Sequence, residues 1–330
     1  MQGFLNTKWI TTFIAIILFL FWLLSVYWSS EPDLFNVRAE AQQQAEQNAE
    51  QVVVGYTTTQ ALITVMETVL EKPGGFLSND VMPPSVFMDN MPRWEFGALE
   101  MSRDLALAMR KDFSRSQSQS LENPQLIKAQ PAMNMNHLRW LLPSAESMYN
   151  DALRELRLYR SDLADRTQGD AQFFSRADNL RDWLKQAEKR LGNLSQKLSA
   201  SVGHETLNTD LAGDAQARTS TPVPEQHFDK TSWWKTDDNF YEARGAAWAL
   251  IHYLKAVEVD FAEVLEKKNA TVSLRQIIRE LESTQQTIWS PMILNGSGLG
   301  MLANHSLVMA NYISRANAAL IELTELLNQG

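Results

Sequence analysis

Residues 177–198 read ADNLRDWLKQAEKRLGNLSQKL and give the clearest structural signal in the chain. Apolar side chains recur here at alternating intervals of three and four residues: Ala177, Leu180, Leu184, Ala187, Leu191, Leu194 and Leu198. This heptad spacing places them on one face of a long helix, predicted over about residues 171–201. Charged side chains such as Lys185 and Glu188 lie between them and form a solvated face.

Two more heptad seams follow. The second runs through Ala243, Ala247, Leu250, Leu254, Val257, Phe261 and Val264. The third, which is weaker, runs through Met309, Ile313, Ala316, Leu320, Leu323 and Leu327. No segment shows the sustained two-residue alternation of a strand. We therefore predict an all-α fold, an elongated antiparallel helical bundle with long ordered loops. An intermolecular coiled coil is the alternative, because heptads do not say which helices pair.

Shorter amphipathic helices are predicted over about residues 58–72, 94–114, 145–163 and 273–288. Between the first two, residues 73–93 hold four prolines but are rich in Phe, Val, Leu and Met. A disordered linker does not carry so much apolar surface, so we predict an ordered loop packed on the body. Pro124 and Pro131 mark a further connection.

An uncharged apolar stretch, WITTFIAIILFLFWLLSVYW, occupies residues 9–28. A helix of that length spans roughly 30 Å, the thickness of a hydrocarbon core. Trp9 at one end, and Tyr27 and Trp28 at the other, are predicted to lie at the membrane interfaces. A cleaved signal peptide is the alternative, but its apolar region is usually about 7–15 residues and is followed by small residues. We predict an uncleaved anchor that contacts the lipid bilayer.

Charge beside the anchor predicts its orientation. The N-terminal flank has Lys8, whereas the other flank begins with Glu31 and Asp33. Positively charged flanks stay cytoplasmic, so the short N-terminus is predicted in the cytoplasm and the body in the periplasm, on a bacterial inner membrane.

The formal net charge of the chain is −9, and setting Lys8 aside leaves −10 on the remaining residues. That balance disfavours nucleic acid as a partner.

The chain has no cysteine, which excludes disulfides, thiolate catalysis and cysteine-based zinc sites. Its histidines form no pair at helical spacing, and HExxH and Gly-x-Ser-x-Gly are absent. We therefore predict no metal, no cofactor and no catalytic residue.

The predicted organisation has six parts. Residues 1–8 are the cytoplasmic terminus, 9–28 the anchor, 29–56 a helical stalk or linker, 57–202 the first part of the bundle, 203–238 a loop, and 239–330 the second part. The stalk is predicted because AEAQQQAEQNAEQ, residues 39–51, favours helix but carries no apolar stripe.

A glycine cluster, NGSGLG at residues 295–300, precedes the last helix. The backbone N–H groups of Asn295, Gly296, Ser297 and Gly298, next to a helix N-terminus, are candidates to hold phosphate or carboxylate. A flexible turn is the commoner structure for such a sequence. His305 is a candidate to bind or titrate, although capping or packing is the commoner role.

Two further pairs are candidates. Asp80 and Asp89, in the Pro-rich loop, are placed to bracket a substrate or a divalent ion, although solvated surface is the default for such residues. Trp233 and Trp234 are candidates to line a groove for a lipid, glycan or peptide, although capping the open end of a bundle is commoner.

Strings along nearly the whole chain resemble those of a bacterial family catalogued only as domain of unknown function 2333. They are KPGGFLSNDVMPP, DFSRSQSQS, RADNLRDWL, LNTDLAGD, FYEARGAAWALIHYL, EVLEKKNA, WSPMILNGSG and ANHSLVMA. The resemblance implies a proteobacterial inner-membrane protein. It brings no assigned activity and no catalytic residues.

These observations favour a membrane-anchored periplasmic scaffold or adaptor of the cell envelope, without catalytic activity, that packs with an envelope protein or with itself. The alternative is a binding module for an envelope lipid or glycan intermediate, with a groove that joins the Pro-rich loop, the Trp pair and the glycine turn. A second alternative is an envelope hydrolase in which Asp80 or Asp89 acts with His305, which requires those side chains to converge.

Overall fold

The computed structural model describes residues 7–117, 119–165, 171–207, 226–290 and 292–329. These residues form an all-α fold with eleven α-helices, as the sequence predicts. The helices are α1 Thr7–Trp28, α2 Val37–Asn48, α3 Tyr56–Glu71, α4 Asn90–Ala108, α5 Pro124–Met133, α6 Ala145–Ala164, α7 Ala177–Ser199, α8 Thr236–Asp260, α9 Ala262–Lys267, α10 Thr271–Ser283 and α11 His305–Asn328. A π-helical turn, Met109–Phe113, extends α4. One short antiparallel pair joins β1 His204–Leu207 to β2 Gln226–Asp229.

The first heptad seam pairs with the third within the chain. Leu191 and its seam neighbours are buried where α7 lies along α11. Arg181 Nη1 donates to Asn328 Oδ1 at 3.0 Å, and Ser195 Oγ donates to the Ala310 carbonyl at 3.5 Å. The residue numbers run in opposite senses, so the two helices are antiparallel. This arrangement buries the leucines of both seams, which is the packing that heptad spacing favours.

The second seam belongs to α8 as far as Val257, while Phe261 lies at the break after α8 and Val264 lies in α9. Helix α8 is buried on most of its surface and packs on α3, α4, α10 and α11. Its closest neighbour is α4, which runs in the same direction, with Gly97 against Glu242 and Ser102 against Tyr253. Glycines let the two backbones approach closely, because no Cβ stands between them. One hydrophobic core therefore runs through both predicted parts of the bundle.

The segment predicted as a stalk is helical in α2, but it does not stand free. Val37, Ala41 and Ala45 are buried against α3 and α8. Alanines four residues apart form a narrow stripe that allows close helix packing. Such a stripe carries little hydrophobic signal, which explains why the sequence predicts a solvated helix.

The connection predicted around Pro124 and Pro131 also contains a helix, α5. Asn123 caps it, with Oδ1 accepting from the backbone N–H groups of Gln125 and Leu126 at 3.0 and 3.2 Å. Pro124 stands at the first turn, where the missing N–H has no helical partner to lose. Asn123 and Pro124 therefore both suit the start of a helix, while Pro131 lies inside α5 near its end.

Helix α1 differs from the others because residues 9–28 are not buried in the body. It is long and apolar enough to cross a membrane, and a signal sequence fits the same description. Trp9 and Tyr27 are exposed, at 74 % and 63 %. Trp28, in contrast, is half-buried and packs against the core.

Candidate functional site

Most candidate residues predicted from the sequence lie at one end of the bundle, which we call the anchor-proximal end because it lies next to α1, the helix that the sequence predicts to be the anchor. Helices α3, α5, α7 and α10 end there, and α4, α6, α8 and α11 begin there. Side-chain contacts join the connecting loops: Asn79 Nδ2 to the Arg139 carbonyl at 3.0 Å, Arg93 to Asp238 at 3.2 Å, and Asn295 Nδ2 to the Ser201 carbonyl at 3.2 Å.

The anchor meets the body at this end through Trp28. Gly74, in the Pro-rich loop, has a φ of +87°, and a Cβ on it would lie 2.7 Å from Trp28 Cγ. Glycine is the residue that adopts this backbone conformation without strain and leaves room for the indole ring. The last residue of the apolar helix is therefore in direct contact with the folded body.

An ion pair fixes the chain just after the anchor. Arg244 Nε donates to Glu31 Oε2 at 2.6 Å, and its guanidinium also donates to the carbonyls of Thr284 and Gln286 at 2.8 and 2.9 Å. Arg244 is buried, and burial raises the pKa of Glu31 while the guanidinium opposes that rise. One side chain thus ties the post-anchor segment, α8 and the end of α10 together.

A neutral histidine holds the next part of the segment. His252 Nδ1 bonds the Trp248 carbonyl at 2.8 Å, and Phe35 N–H donates to His252 Nε2 at 3.2 Å. Burial lowers the pKa of His252 to about 3, so the ring is uncharged and Nε2 can accept. The Phe35 ring stacks on the imidazole at 3.8 Å. Residues 28–36 are therefore docked along their length.

Arg244→Met is expected to release this docked segment. The methionine keeps some of the buried volume but leaves Glu31 and the carbonyls without a donor, and hydrogen bonds to charged groups contribute about 1.5–3 kcal/mol. We expect roughly tenfold faster proteinase K cleavage between anchor and body, because the undocked state becomes more populated. Arg154→Met, which removes an exposed pair with Asp151, is the control. Equal cleavage rates in the two variants would contradict the role of Arg244.

Two clefts flank Arg244. One has a volume of about 720 Å³, opens beside Ser29 and is lined mainly by polar groups. The other has a volume of about 320 Å³ and is lined largely by apolar and aromatic residues, with His305 at its wall. Neither cleft is lined by Trp233, Trp234 or the Pro-rich loop, so these clefts are not the groove predicted from those segments.

Acidic side chains meet where α4 and α8 begin. Asp89 Oδ1 accepts from Asn90 N–H at 2.9 Å as the N-cap of α4. Burial raises the pKa of Asp237 and of Asp238, and the negative charge of Asp89 raises both further. Arg93 pairs with Asp238 and opposes this effect. Asp80 is exposed in the neighbouring loop. Over the described residues, no three His, Asp or Glu side chains are arranged to hold a metal ion.

The glycine turn is closed by its own hydrogen bonds. Gly296 N–H donates to the Ala303 carbonyl at 3.0 Å, and Asn304 Nδ2 donates to the Gly296 carbonyl at 2.7 Å. A Cβ on Gly296 would lie 2.1 Å from the Leu302 carbonyl oxygen, so glycine is required there. Asn295 Oδ1 accepts from Asn304, while Ser297 and Gly298 are exposed.

His305 closes the base of this turn. The ring Nδ1 of His305 accepts from the backbone N–H of Leu294 at 3.2 Å, and the backbone N–H of His305 donates to the Leu294 carbonyl at 2.9 Å. The ring therefore caps local backbone. Among the described contacts, none joins His305 to Asp80 or Asp89, so the convergence that a hydrolase needs is not seen.

The Trp pair is exposed rather than buried under the end of the bundle. Trp233 and Trp234 are 62 % and 78 % accessible, and their rings meet edge to face at 4.9 Å. They stand immediately before α8, beside the acidic group. The pair therefore adds apolar surface to the anchor-proximal end instead of sealing it.

Comparison with known proteins identifies a family but no function. The model of the family described as an uncharacterized protein conserved in bacteria, DUF2333, matches residues 2–330. Searches of the curated proteins and of the solved structures found no match.

Proposed function

The chain belongs to the bacterial family DUF2333, and we propose that it is a single-pass inner-membrane protein whose periplasmic body serves as a non-catalytic scaffold or adaptor. The observation that supports this proposal is the docked junction between Trp28 and Val37. A flexible tether leaves a body free to reorient, whereas contacts of Trp28, Glu31 and Phe35 hold the segment after α1 against the bundle. Fixed presentation suits a protein that positions partners in the envelope.

The arrangement of polar groups supports a role without catalysis. Catalytic groups need to converge within hydrogen-bond reach of a reacting atom. Here Asp89 caps a helix, His305 caps a turn, and Arg244 bonds Glu31 and backbone carbonyls. Each serves local structure.

Labelling of single cysteines tests the placement, because the natural chain has none. Glu266→Cys, on the exposed face of α9, is expected to react with a membrane-impermeant maleimide in intact spheroplasts. Gln2→Cys is expected to react only after lysis, since positive N-terminal flanks stay cytoplasmic. The reverse pattern, or a mature chain that begins beyond Ser30, would overturn the placement.

The same Glu266→Cys variant tests the proposed scaffold role. A photo-crosslinker on the thiol is expected to give discrete crosslinked products in intact cells. The control is residues 1–28 fused to an unrelated soluble domain that carries the same label. Products common to both chains, or none from the full chain, would contradict a scaffold role.

A further inference from the structure

Exposed apolar side chains are concentrated in loops at the anchor-proximal end. The loops are residues 81–87, 138–142, 233–234 and, in the last loop, 289–290 with 292–302. Outside the anchor, every exposed tryptophan among the described residues lies in them. Their most exposed side chains include Phe87 at 82 %, Leu142 at 89 % and Trp289 at 93 %, together with Met301, which is fully exposed. Apolar surface gathered in this way marks a contact with a partner or a membrane.

The junction brings these loops close to the end of the apolar helix. Trp28 ends the apolar helix and touches Gly74 in the loop that continues to Phe87. Asn79 holds the loop that carries Leu142 through the Arg139 carbonyl. Because the anchor ends at the headgroup level, side chains that project from this end of the body reach the same depth.

A second set of contacts brings in the remaining loops. Arg244 bonds both Glu31, three residues after the anchor, and the Gln286 carbonyl, three residues before Trp289. Trp233 and Trp234 directly precede α8, whose first turn holds Asp238 against Arg93 of α4. These contacts therefore link all four loops, directly or through a neighbouring element, to the part of the chain that follows the anchor.

We propose that these four loops form an apolar rim that inserts into the outer interface of the bilayer and seats the body on the membrane. This inference rests on the proposed function, since it requires residues 9–28 to span the membrane. Trp, Leu, Met and Phe suit this depth, because aromatic rings are enriched at the interface and aliphatic chains enter the acyl boundary.

Apolar burial, rather than charge, drives the contact. The body carries a net charge near −10, and the exposed Asp80 and Asp89 flank the rim's first loop, while the charged side chain within the four loops is Arg139, also exposed. A single arginine beside flanking carboxylates gives little net attraction to anionic headgroups, which takes a cluster of basic residues. Seating on zwitterionic lipid is therefore expected to withstand high salt, which screens charges but leaves hydrophobic contacts intact.

The test uses the full chain in phosphatidylcholine vesicles, with an environment-sensitive fluorophore on one introduced cysteine. Leu142→Cys reports on the rim. Leu121→Cys is the matched control, a leucine 94 % exposed in the connection at the opposite end of the bundle. Leu18→Cys, in the anchor, reports on insertion itself. Phosphatidylcholine carrying a doxyl group on its acyl chain serves as the quencher.

At residue 142 we expect blue-shifted emission and about twofold quenching, because interfacial side chains reach about 5–10 Å into the headgroup and acyl boundary. The fluorophore at residue 121 should stay in water. If the fluorophore at residue 18 is quenched but the one at residue 142 behaves like the one at residue 121, the membrane anchor is supported and the insertion of the rim is overturned. Blue-shifted but unquenched emission at residue 142 means that protein covers the rim, which also overturns it. No quenching at residue 18 overturns the anchor and the proposed function.

Discussion

Gly97→Ala and Gly245→Ala are each expected to lower the free energy of unfolding by about 3 kcal/mol or more, the upper range for overpacking. A Cβ on Gly97 would lie 2.0 Å from the Glu242 carbonyl oxygen, and one on Gly245 would lie 1.9 Å from the Trp94 carbonyl oxygen. Both obstacles are backbone atoms within buried helices, so no side-chain rotation relieves them. Helices α4 and α8 would have to separate, and the core around them would loosen.

Gly192→Ala in α7 is the control, because its Cβ would meet only Asn317 Nδ2, at 3.5 Å. Alanine in a helix interior normally stabilises by about 0.5–1 kcal/mol relative to glycine, so this variant should gain stability. Denaturation of the full chain in detergent, followed by tryptophan fluorescence, measures all three. Trp94 and Trp248 report on the α4–α8 interface, since their rings lie 5.0 Å apart. If Gly97→Ala stabilised as much as Gly192→Ala, the close approach of α4 and α8 would be wrong.

Helices are the part of this fold that the sequence predicts well. Heptad spacing identifies α7, α8 and α11, because a repeated apolar interval depends on the helical period alone. The start of α6 at Ala145 follows from Ser144, whose hydroxyl accepts from Ser147 N–H. These signals are local, so they predict a helix even when the helix that packs against it is unknown.

Pairing of the helices is harder to predict, because it depends on residues distant in the sequence. Heptads do not say that α7 meets α11 or that α8 meets α4. Gly245 does offer a clue, since a glycine inside a helical seam points to close backbone approach. Its counterpart, Gly97, lies in a helix with no heptad seam, so the contact itself appears only in the structure.

The candidate residues are predicted from unusual local composition, which indicates where loops lie but not what their side chains contact. Glycine, tryptophan and proline clusters do mark the anchor-proximal loops. They do not show that His305 caps a turn or that Trp233 stays exposed. The groups that fix the junction, Arg244 and His252, look ordinary in sequence because their partners lie more than two hundred residues away.

A second buried ion pair fixes the start of the Pro-rich loop. Lys72 Nζ lies 2.6 Å from Glu95 Oε1, and both side chains are fully buried. The same carboxylate accepts from the backbone N–H groups of Leu77 and Ser78 at 2.9 and 2.8 Å. Lys72 Nζ also donates to the Gly75 carbonyl at 2.7 Å. The pair therefore shapes the turn that places Gly74 against Trp28.

Lys72→Met is expected to destabilise the protein by about 3–5 kcal/mol at pH 8, because it leaves a buried carboxylate without its cation. Burial already raises the pKa of Glu95, and loss of Lys72, which opposes that rise, raises it further. A carboxyl whose pKa is higher in the folded state binds its proton more tightly there. The stability that Lys72→Met loses should therefore be largest at pH values above the pKa of Glu95 in the folded variant. The loss should shrink as the pH falls through that pKa toward the pKa of an unfolded glutamate, about 4.3.

The double variant Lys72→Met/Glu95→Gln separates charge from packing. The amide has no charge to strand, so this chain should recover part of the stability that Lys72→Met loses at pH 8, and the recovery relative to Lys72→Met should be smaller at pH 5. Arg275→Met, which removes an exposed partner of Glu258, should change stability by about 1 kcal/mol or less. Denaturant titration at both pH values measures all of them. A loss for Lys72→Met that stayed constant between pH 8 and pH 5 would mean that a buried Glu95 charge is not its cause.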